Sequence, residues 1–153
     1  MVVALKNEVI LRIEAKIADG QEEEYYQYKA VGTMHEKGGV TYVQYEEELT
    51  EGGKVTNLIK ISPKAQELVV HRKGFVTMRQ QFLPGKTTSG TYITPYGRLP
   101  YEIKTNRWHF IWDKGEEKGK LVIHYEMTLA ASEMRTHEFS ITIRKRGKSD
   151  ELH

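Results

Sequence analysis

The sequence predicts an all-β protein built as one closed or nearly closed antiparallel up-and-down barrel of about eight to ten strands. Apolar side chains recur at every second position in successive segments of the 153-residue chain, which is typical of strands that bury one face. Short turns rich in Gly, Pro and Asp separate these segments. More than half of the chain follows this pattern, and a barrel accommodates so much strand because closure leaves no open edge.

The first third of the chain predicts three strands of a meander. Alternation between apolar and polar residues defines each strand, and glycine-containing turns separate them. The predicted strands run over Val9–Ile17, Tyr26–Met34 and Thr41–Leu49, with turns at Asp19-Gly20, Lys37–Gly39 and Glu51–Gly53.

The rest of the chain repeats this design. The further predicted strands cover Val55–Ile61, Leu68–His71, Val76–Phe82, Thr87–Thr94, Leu99–Trp112, Leu121–Leu129 and Phe139–Ile143. Only a turn near Pro63 to Glu67 offers helical character. No unit alternates strand with helix, which argues against a parallel α/β sheet.

The domain organisation predicted from these segments is simple. Residues 1–8 form an N-terminal lead-in, residues 9–144 form the barrel, and residues 145–153 form a polar tail that we expect to be disordered. The hydrophobic share of 39% and the charged share of 29% are ordinary for a globular domain.

Composition removes several functional classes. The 23 basic and 21 acidic residues leave a net charge of +2, which does not predict a nucleic-acid partner. The chain has no cysteine, so disulfides, thiolate catalysis and cysteine-ligated metals are excluded. No apolar stretch has the length of a membrane helix and no signal peptide is evident, so we expect a cytoplasmic protein without a membrane partner. The oligomeric state stays open.

Several segments together resemble the YwiB-like family, an uncharacterised bacterial family. The blocks are Tyr45-Glu46-Glu47, Arg72-Lys73-Gly74, Met78 with Gln80-Gln81-Phe82, Tyr92 to Gly97, and Leu121 to Met127. Their order and spacing extend the similarity from about Val9 to Ile143. The resemblance implies a small calycin-type, lipocalin-like barrel in a bacterial, Gram-positive cytoplasm, and it supplies no activity, cofactor or catalytic residue. Residues 106–114 depart from the family pattern.

Motifs for phosphate, metal and nucleophilic chemistry are not supported. Gly85-Lys86-Thr87 resembles the end of a P-loop, but Gln80 stands where that loop needs a glycine and no helix follows. The six histidines are too scattered in sequence to predict a metal or haem site, so we expect no metal and no cofactor. Ser89 and Ser140 lie in no nucleophile elbow.

One carboxylate stands out among the predicted inward residues. Glu47 shares the phase of Val43, Tyr45 and Leu49, so it is expected to face the interior, where an ionised carboxylate needs a partner. The same parity makes His137 and Arg107 the candidate partners. Three interpretations stay open: a buried polar pair that holds the barrel register, a strand end at which Glu47 reaches water, or a carboxylate that serves a function.

Ligand binding inside the barrel is the leading functional prediction. Barrels of this size either fill with side chains or hold one small molecule. Five tyrosines (Tyr26, Tyr28, Tyr45, Tyr101 and Tyr125) fall on the buried phase and are interpreted as core. A small hydrophobic or amphipathic ligand would meet polar residues among apolar walls. The candidate ligand-binding residues are Glu47, Arg72, Arg79, Gln80, Tyr92, Tyr96, Arg107 and His137.

Two other functions remain open. An interaction or structural module would use a predicted exposed aromatic strip formed by Trp108, Phe110 and Trp112. An enzyme that uses Glu47 as a base is the third alternative, and the sequence favours it least because it shows no constellation of catalytic residues.

Overall fold

The fold is described from a computed structural model over residues 7–50 and 52–147. These residues contain ten β-strands, joined mostly by short turns. In chain order the strands are β1 (Glu8–Ala18), β2 (Glu23–Lys37), β3 (Val40–Glu48), β4 (Lys54–Ser62), β5 (Glu67–Gly74), β6 (Met78–Phe82), β7 (Thr87–Thr94), β8 (Gly97–Asp113), β9 (Lys118–Leu129) and β10 (Arg135–Lys145). No helix in this part of the chain is long and apolar enough to cross a membrane.

The ten strands form one antiparallel sheet that curls into a nearly closed barrel. Each strand pairs with the next along the chain except at β6 and β7, and β1 also pairs with β10 along almost its whole length. The predicted all-β up-and-down barrel is therefore confirmed. β1 begins at Glu8 and β10 ends at Lys145, while residues 1–6 and 148–153 of the predicted lead-in and tail lie outside the described residues.

Strands β6 and β7 meet at a seam rather than along a full ladder. Two backbone hydrogen bonds join Thr77 to Ile93, with N···O distances of 2.8 and 2.9 Å. The Thr88 hydroxyl adds a 2.7 Å hydrogen bond to the Gln81 carbonyl. The barrel therefore closes here through a few separate contacts.

Tyr101 reinforces this seam from inside the barrel. It lies opposite Gly90 in the β7–β8 pair, and its hydroxyl donates a hydrogen bond to the Arg79 carbonyl of β6. A Cβ atom at position 90 would collide with the Tyr101 phenol, so only glycine leaves room for this side chain to reach β6. The buried Tyr101 ring thus links three strands across the seam.

The core consists of the inward residues of the alternating strands. β1 shows how the pattern works, since Leu11 and Ile13 are fully buried while Arg12 between them is exposed. Members of the same buried cluster come from both halves of the sheet: Val9, Val43, Ile59, Ile61, Leu68, Phe82, Ile103, Leu121, Ile123, Ile141 and Ile143. Burial of these side chains is the main source of stability.

A β-bulge in β8 reverses the alternation. The register against β9 shifts between Thr105 and Arg107, so that Thr105 faces the core and Arg107 is exposed. The prediction that Arg107 faces inward is therefore wrong. The prediction assumed that the alternation set by Ile103 continues to Arg107. Asn106 has no partner in β9, so the alternation shifts by one residue there.

The same bulge corrects the predicted aromatic strip. Trp108 lies opposite Ile123 and Phe110 opposite Leu121, so both rings share the face of buried core residues. Trp112 covers Gly119, where a Cβ atom would collide with the indole. All three rings are partly buried and pack against the core cluster, so they do not form an exposed strip. Instead, they fill the barrel toward the end that carries the β8–β9 turn.

We predict that Tyr101→Phe weakens the seam. The substitution keeps the ring but removes the hydroxyl that bonds the Arg79 carbonyl, so the free energy of unfolding should fall by about 1 kcal/mol in urea titrations. Tyr96→Phe is the matched control because Tyr96 is 84% exposed. Equal effects of the two substitutions would contradict the role given to the Tyr101 hydroxyl.

Candidate functional site

A cavity of about 200 Å³ lies inside the barrel at the end that carries the β1–β2, β3–β4 and β9–β10 turns. The residues that line it come mainly from the ends of odd-numbered strands and the beginnings of even-numbered strands, as an up-and-down barrel requires. Tyr26 is 45% exposed, so the cavity reaches solvent there. Its deeper walls are apolar and include Ile59, Val70, Phe82 and Ile123.

Glu47 and Arg72 form an ion pair in the cavity wall, and the Asn57 side-chain amide contacts the same pair. One Arg72 nitrogen (Nη2) lies 3.2 Å from Glu47 Oε1, and the Asn57 amide donates to the same oxygen at 3.2 Å. The sheet register brings these groups together, because Asn57 lies opposite Arg72 and Glu47 lies opposite Val55. The Arg72 and Glu47 side chains keep 22% and 20% of their exposure, while Asn57 is buried. The two charges thus neutralise each other at the wall.

Tyrosine hydroxyls supply most of the other polar atoms. Tyr28 and Tyr45 are hydrogen-bonded to each other through their hydroxyls. Burial raises the pKa of Tyr45 to about 12 and raises the pKa of Tyr28 well above its usual range. Burial also raises the pKa of Tyr125. These phenols are therefore protonated at neutral pH and can donate hydrogen bonds.

His137 is the one histidine among the described residues that line the cavity. Its ring stacks on that of Tyr125, with centroids 4.7 Å apart and planes 18° from parallel. Burial, with a smaller contribution from the positive charge of Arg135, lowers the pKa of His137 to about 4. His137 is therefore neutral at pH 7. With Glu47 paired to Arg72, the cavity as a whole carries no net charge.

The opposite side of the cavity is closed by packed rings. Phe82 and Tyr125 meet edge to face, with centroids 4.9 Å apart and an interplanar angle of 62°. Phe82 is 1% exposed, and the inward Trp108 and Phe110 continue the filled lumen beyond the cavity. The barrel interior therefore has a filled end and an end with space.

The structure brings together five of the eight candidate residues. Glu47, Arg72, Gln80, Tyr92 and His137 line the cavity. The other three do not. Arg79 lies on the outer face of β6 between the inward Met78 and Gln80, Tyr96 is in the exposed β7–β8 turn, and Arg107 lies outside after the bulge.

The predicted partners of Glu47 are wrong. Neither His137 nor Arg107 bonds it, and its partners are Arg72 and Asn57. The alternation of the sequence could have identified these partners, because Arg72 follows the inward residues Leu68 and Val70 in steps of two. Asn57 likewise stands between Val55 and Ile59.

The tyrosines had a second role that the sequence interpretation missed. Tyr26, Tyr28, Tyr45 and Tyr125 were assigned to core filling, yet all four line the cavity. Within residues 7–50 and 52–147, no group of three or more His, Asp or Glu side chains is placed to hold a metal ion. The arrangement is suited to accepting and donating hydrogen bonds at the edge of an apolar space.

Comparison with known proteins identifies relatives along nearly the whole chain. The family model "Domain of unknown function (DUF1934)" matches residues 11–141. The "Uncharacterized beta-barrel protein YwiB" of Bacillus subtilis (strain 168) is 31% identical over 134 residues, which cover 88% of this chain and 91% of that protein. The crystal structure of the ywiB protein from Bacillus subtilis superposes with a TM-score of 0.81 at 28% identity, and the superposition covers 92% of this chain and 93% of that chain. The predicted resemblance is thereby confirmed.

We predict that His137 makes stability depend on pH in a defined window. Its pKa of about 4 in the folded state lies below the unfolded value near 6.5, so the unfolded chain binds the proton first. Stability is therefore fully present above pH 6.5, is lost as the pH falls toward 4, and is not lost further below that value through this group. Urea unfolding at pH 7 and pH 5 should show a loss about 1–2 kcal/mol larger in the unsubstituted protein than in His137→Phe.

The control for this experiment is His109→Phe on the exposed face of β8. This variant should lose stability between pH 7 and pH 5 as the unsubstituted protein does. A His137→Phe variant with the same pH dependence as the unsubstituted protein would contradict the assignment.

Proposed function

This chain belongs to the DUF1934 family of domains of unknown function, and from that premise we propose that its barrel binds a small, uncharged, amphipathic molecule. The observation that carries the proposal is a neutral polar cluster at the edge of an apolar cavity. We also propose that the barrel is of the lipocalin-like, calycin type, which the up-and-down order and the β1–β10 pairing support. The cytoplasmic location stays a prediction.

Charge determines the class of ligand. An ion placed in the cavity would find Glu47 and Arg72 already paired, His137 neutral and the tyrosines protonated, so its charge would stay uncompensated. A neutral ligand avoids that cost. Hydroxyl, amide and carbonyl groups are suited to the site, because they can share hydrogen bonds with the tyrosine hydroxyls and with the remaining N–H groups of Arg72.

Volume limits the size of the ligand. The cavity of about 200 Å³ is smaller than the range of roughly 300–1,000 Å³ that holds drug-sized molecules. At about 30 Å³ per water molecule it has the space of six or seven waters. The proposed ligand is therefore compact, on the scale of a single substituted ring or a short branched chain.

The distribution of polar groups orients the ligand. Glu47, Arg72 and Tyr26 lie toward solvent, whereas Ile59, Phe82 and Ile123 form the apolar depth. An apolar body would therefore enter first and its polar head would stay at the Glu47–Arg72 pair. Removal of the apolar body from water would supply most of the affinity, and the polar groups would supply specificity.

The alternative function, an interaction module, requires an exposed aromatic strip on β8. Trp108, Phe110 and Trp112 face inward after the bulge and are not available together to a partner. The enzyme alternative needs a carboxylate free to act as a base, whereas one oxygen of Glu47 accepts hydrogen bonds from both Asn57 and Arg72.

The direct test is native mass spectrometry of the protein purified from its own host without denaturation. We predict a retained neutral compound that Met127→Trp abolishes, because Met127 lines the cavity and the larger ring would occupy it. Thr128→Trp is the matched control, since Thr128 lies opposite the exposed Glu102 on the outer face of the barrel. Both variants should be checked for folding by circular dichroism.

The proposal fails if the purified protein carries no compound and also binds none from a library of small neutral fragments. It fails equally if both tryptophan variants retain the compound to the same extent, because binding would then lie outside the cavity.

A further inference from the structure

The wall of the barrel is split between β2 and β3. β2 pairs with β1 from Glu23 onward, but its pairing with β3 begins only at Gly32 and continues to Lys37. Residues 23–31 of β2 therefore have a strand on one side only, and residues 46–48 of β3 pair only with β4. We call the region between residues 28–31 and residues 46–48 the fork.

The strands meet closely at one point and diverge beyond it. Gly32 lies opposite Tyr45, and a Cβ atom at Gly32 would overlap the Gln44 carbonyl oxygen of β3. A side chain at this position would push the strands apart, so glycine holds the vertex of the fork closed. Beyond the vertex the backbone ladder between β2 and β3 stops, and the hydroxyls of Tyr28 and Tyr45 interact across the gap.

The fork encloses a groove of about 450 Å³. Tyr28 and Glu47 line both this groove and the interior cavity, so the two spaces adjoin. Backbone N–H and C=O groups on the open side of β2 have no strand partner here. An edge of this kind is a template for an added strand, which gains main-chain hydrogen bonds along its length.

The charge around the fork is acidic. The groove is lined by Glu46, Glu47 and Glu48 and by Lys29. Glu24 stands farther along the open edge of β2, beside Glu23, which lies 3.6 Å from Lys16. Glu47 is already paired with Arg72, and the Glu48 carboxylate lies 4.0 Å from Lys54 Nζ. Glu46 and Glu48 both have exposed side chains on the outer face, where a surface pair such as Glu48–Lys54 is weak and leaves the carboxylate open to a second cation. A strand with cationic side chains on its outward positions would complement this surface.

These features together identify an acceptor for a peptide strand. We propose that the fork binds an extended, lysine- or arginine-bearing segment of a partner protein as an added β-strand. Alternate side chains of the segment face Glu46 and Glu48 outside and Tyr28 inside, following the two-residue period of a strand. This proposal does not depend on the small-molecule function of the cavity.

A second copy of the same barrel is a poorer occupant. Its β2 edge would bring Glu23 and Glu24 toward Glu46 and Glu48 of the first copy, which places like charges together. Its β2 also carries β1 on the other side, so a whole sheet would have to fit beside β3. An isolated extended segment meets neither obstacle.

The test uses a fluorescein-labelled peptide, acetyl-Lys-Val-Lys-Tyr-Lys-Val-Lys-Val-amide, followed by fluorescence anisotropy. The same residues in block order, acetyl-Lys-Lys-Lys-Lys-Val-Val-Val-Tyr-amide, keep the charge but lose the alternation. We expect the alternating peptide to bind about tenfold more tightly. N-methylation of either the lysines or the apolar residues should distinguish the two edges of the guest strand. The open edge of β2 spans residues 23–31 and that of β3 only residues 46–48. N-methylation of the set whose N–H groups face β2 should therefore weaken binding about tenfold, and N-methylation of the other set should weaken it much less.

Host variants locate the site. Glu46→Lys/Glu48→Lys should weaken binding about tenfold, whereas Glu102→Lys/Glu138→Lys makes the same change of charge on the exposed faces of β8 and β10 and should leave it nearly unchanged. Amide hydrogen exchange by NMR should show new protection in residues 23–31 when the peptide is bound. Equal binding of the block peptide, equal effects of the two N-methylated sets, or equal effects of the two charge reversals would each overturn the proposal. Absence of binding by the alternating peptide would also overturn it.

Discussion

The phase of side-chain alternation is the constraint on which the rest of this structure depends. In a strand, a shift of one residue exchanges the side chains that face the core with those that face water. Nine of the ten described strands keep one phase, whereas in β8 the register shifts between Thr105 and Arg107. That single irregularity turns Trp108 and Phe110 inward and Arg107 outward. It also leaves the buried Thr105 hydroxyl and Trp108 indole N–H without a hydrogen-bond partner in the described part of the chain.

The contents of the barrel follow from this phase. Large rings on the bulged half of β8 occupy one end of the lumen, whereas the tyrosines and polar side chains at the other end surround a cavity. The charged groups that reach the space arrive as a pair, because the registers of β3, β4 and β5 bring Glu47, Asn57 and Arg72 together. Pairing, tyrosine burial and the neutral His137 give the cavity an uncharged surface. Selection of a neutral ligand is therefore a consequence of sheet register.

Much of this could be predicted from local patterns. The alternation of apolar residues and the positions of turn residues predict the strand segments. The same alternation predicts that Glu47, Gln80 and His137 face inward, and all three line the cavity. The bulge could not be predicted, because it depends on the pairing of β8 with β9 rather than on residues near Asn106. The partner of Glu47 was missed for a related reason. Arg72 lies 25 residues away, and only the three-strand register makes the two neighbours.

The most direct test of this account concerns the two tryptophans of the chain. Trp112→Phe leaves Trp108 as the sole tryptophan, and its fluorescence reports which side of the barrel wall it occupies. Because the inward indole N–H is buried, Trp108 should show blue-shifted emission and weak quenching by acrylamide relative to the urea-unfolded chain. Emission and quenching equal to those of the unfolded chain would place Trp108 in water and would contradict both the bulge and the filled end of the barrel.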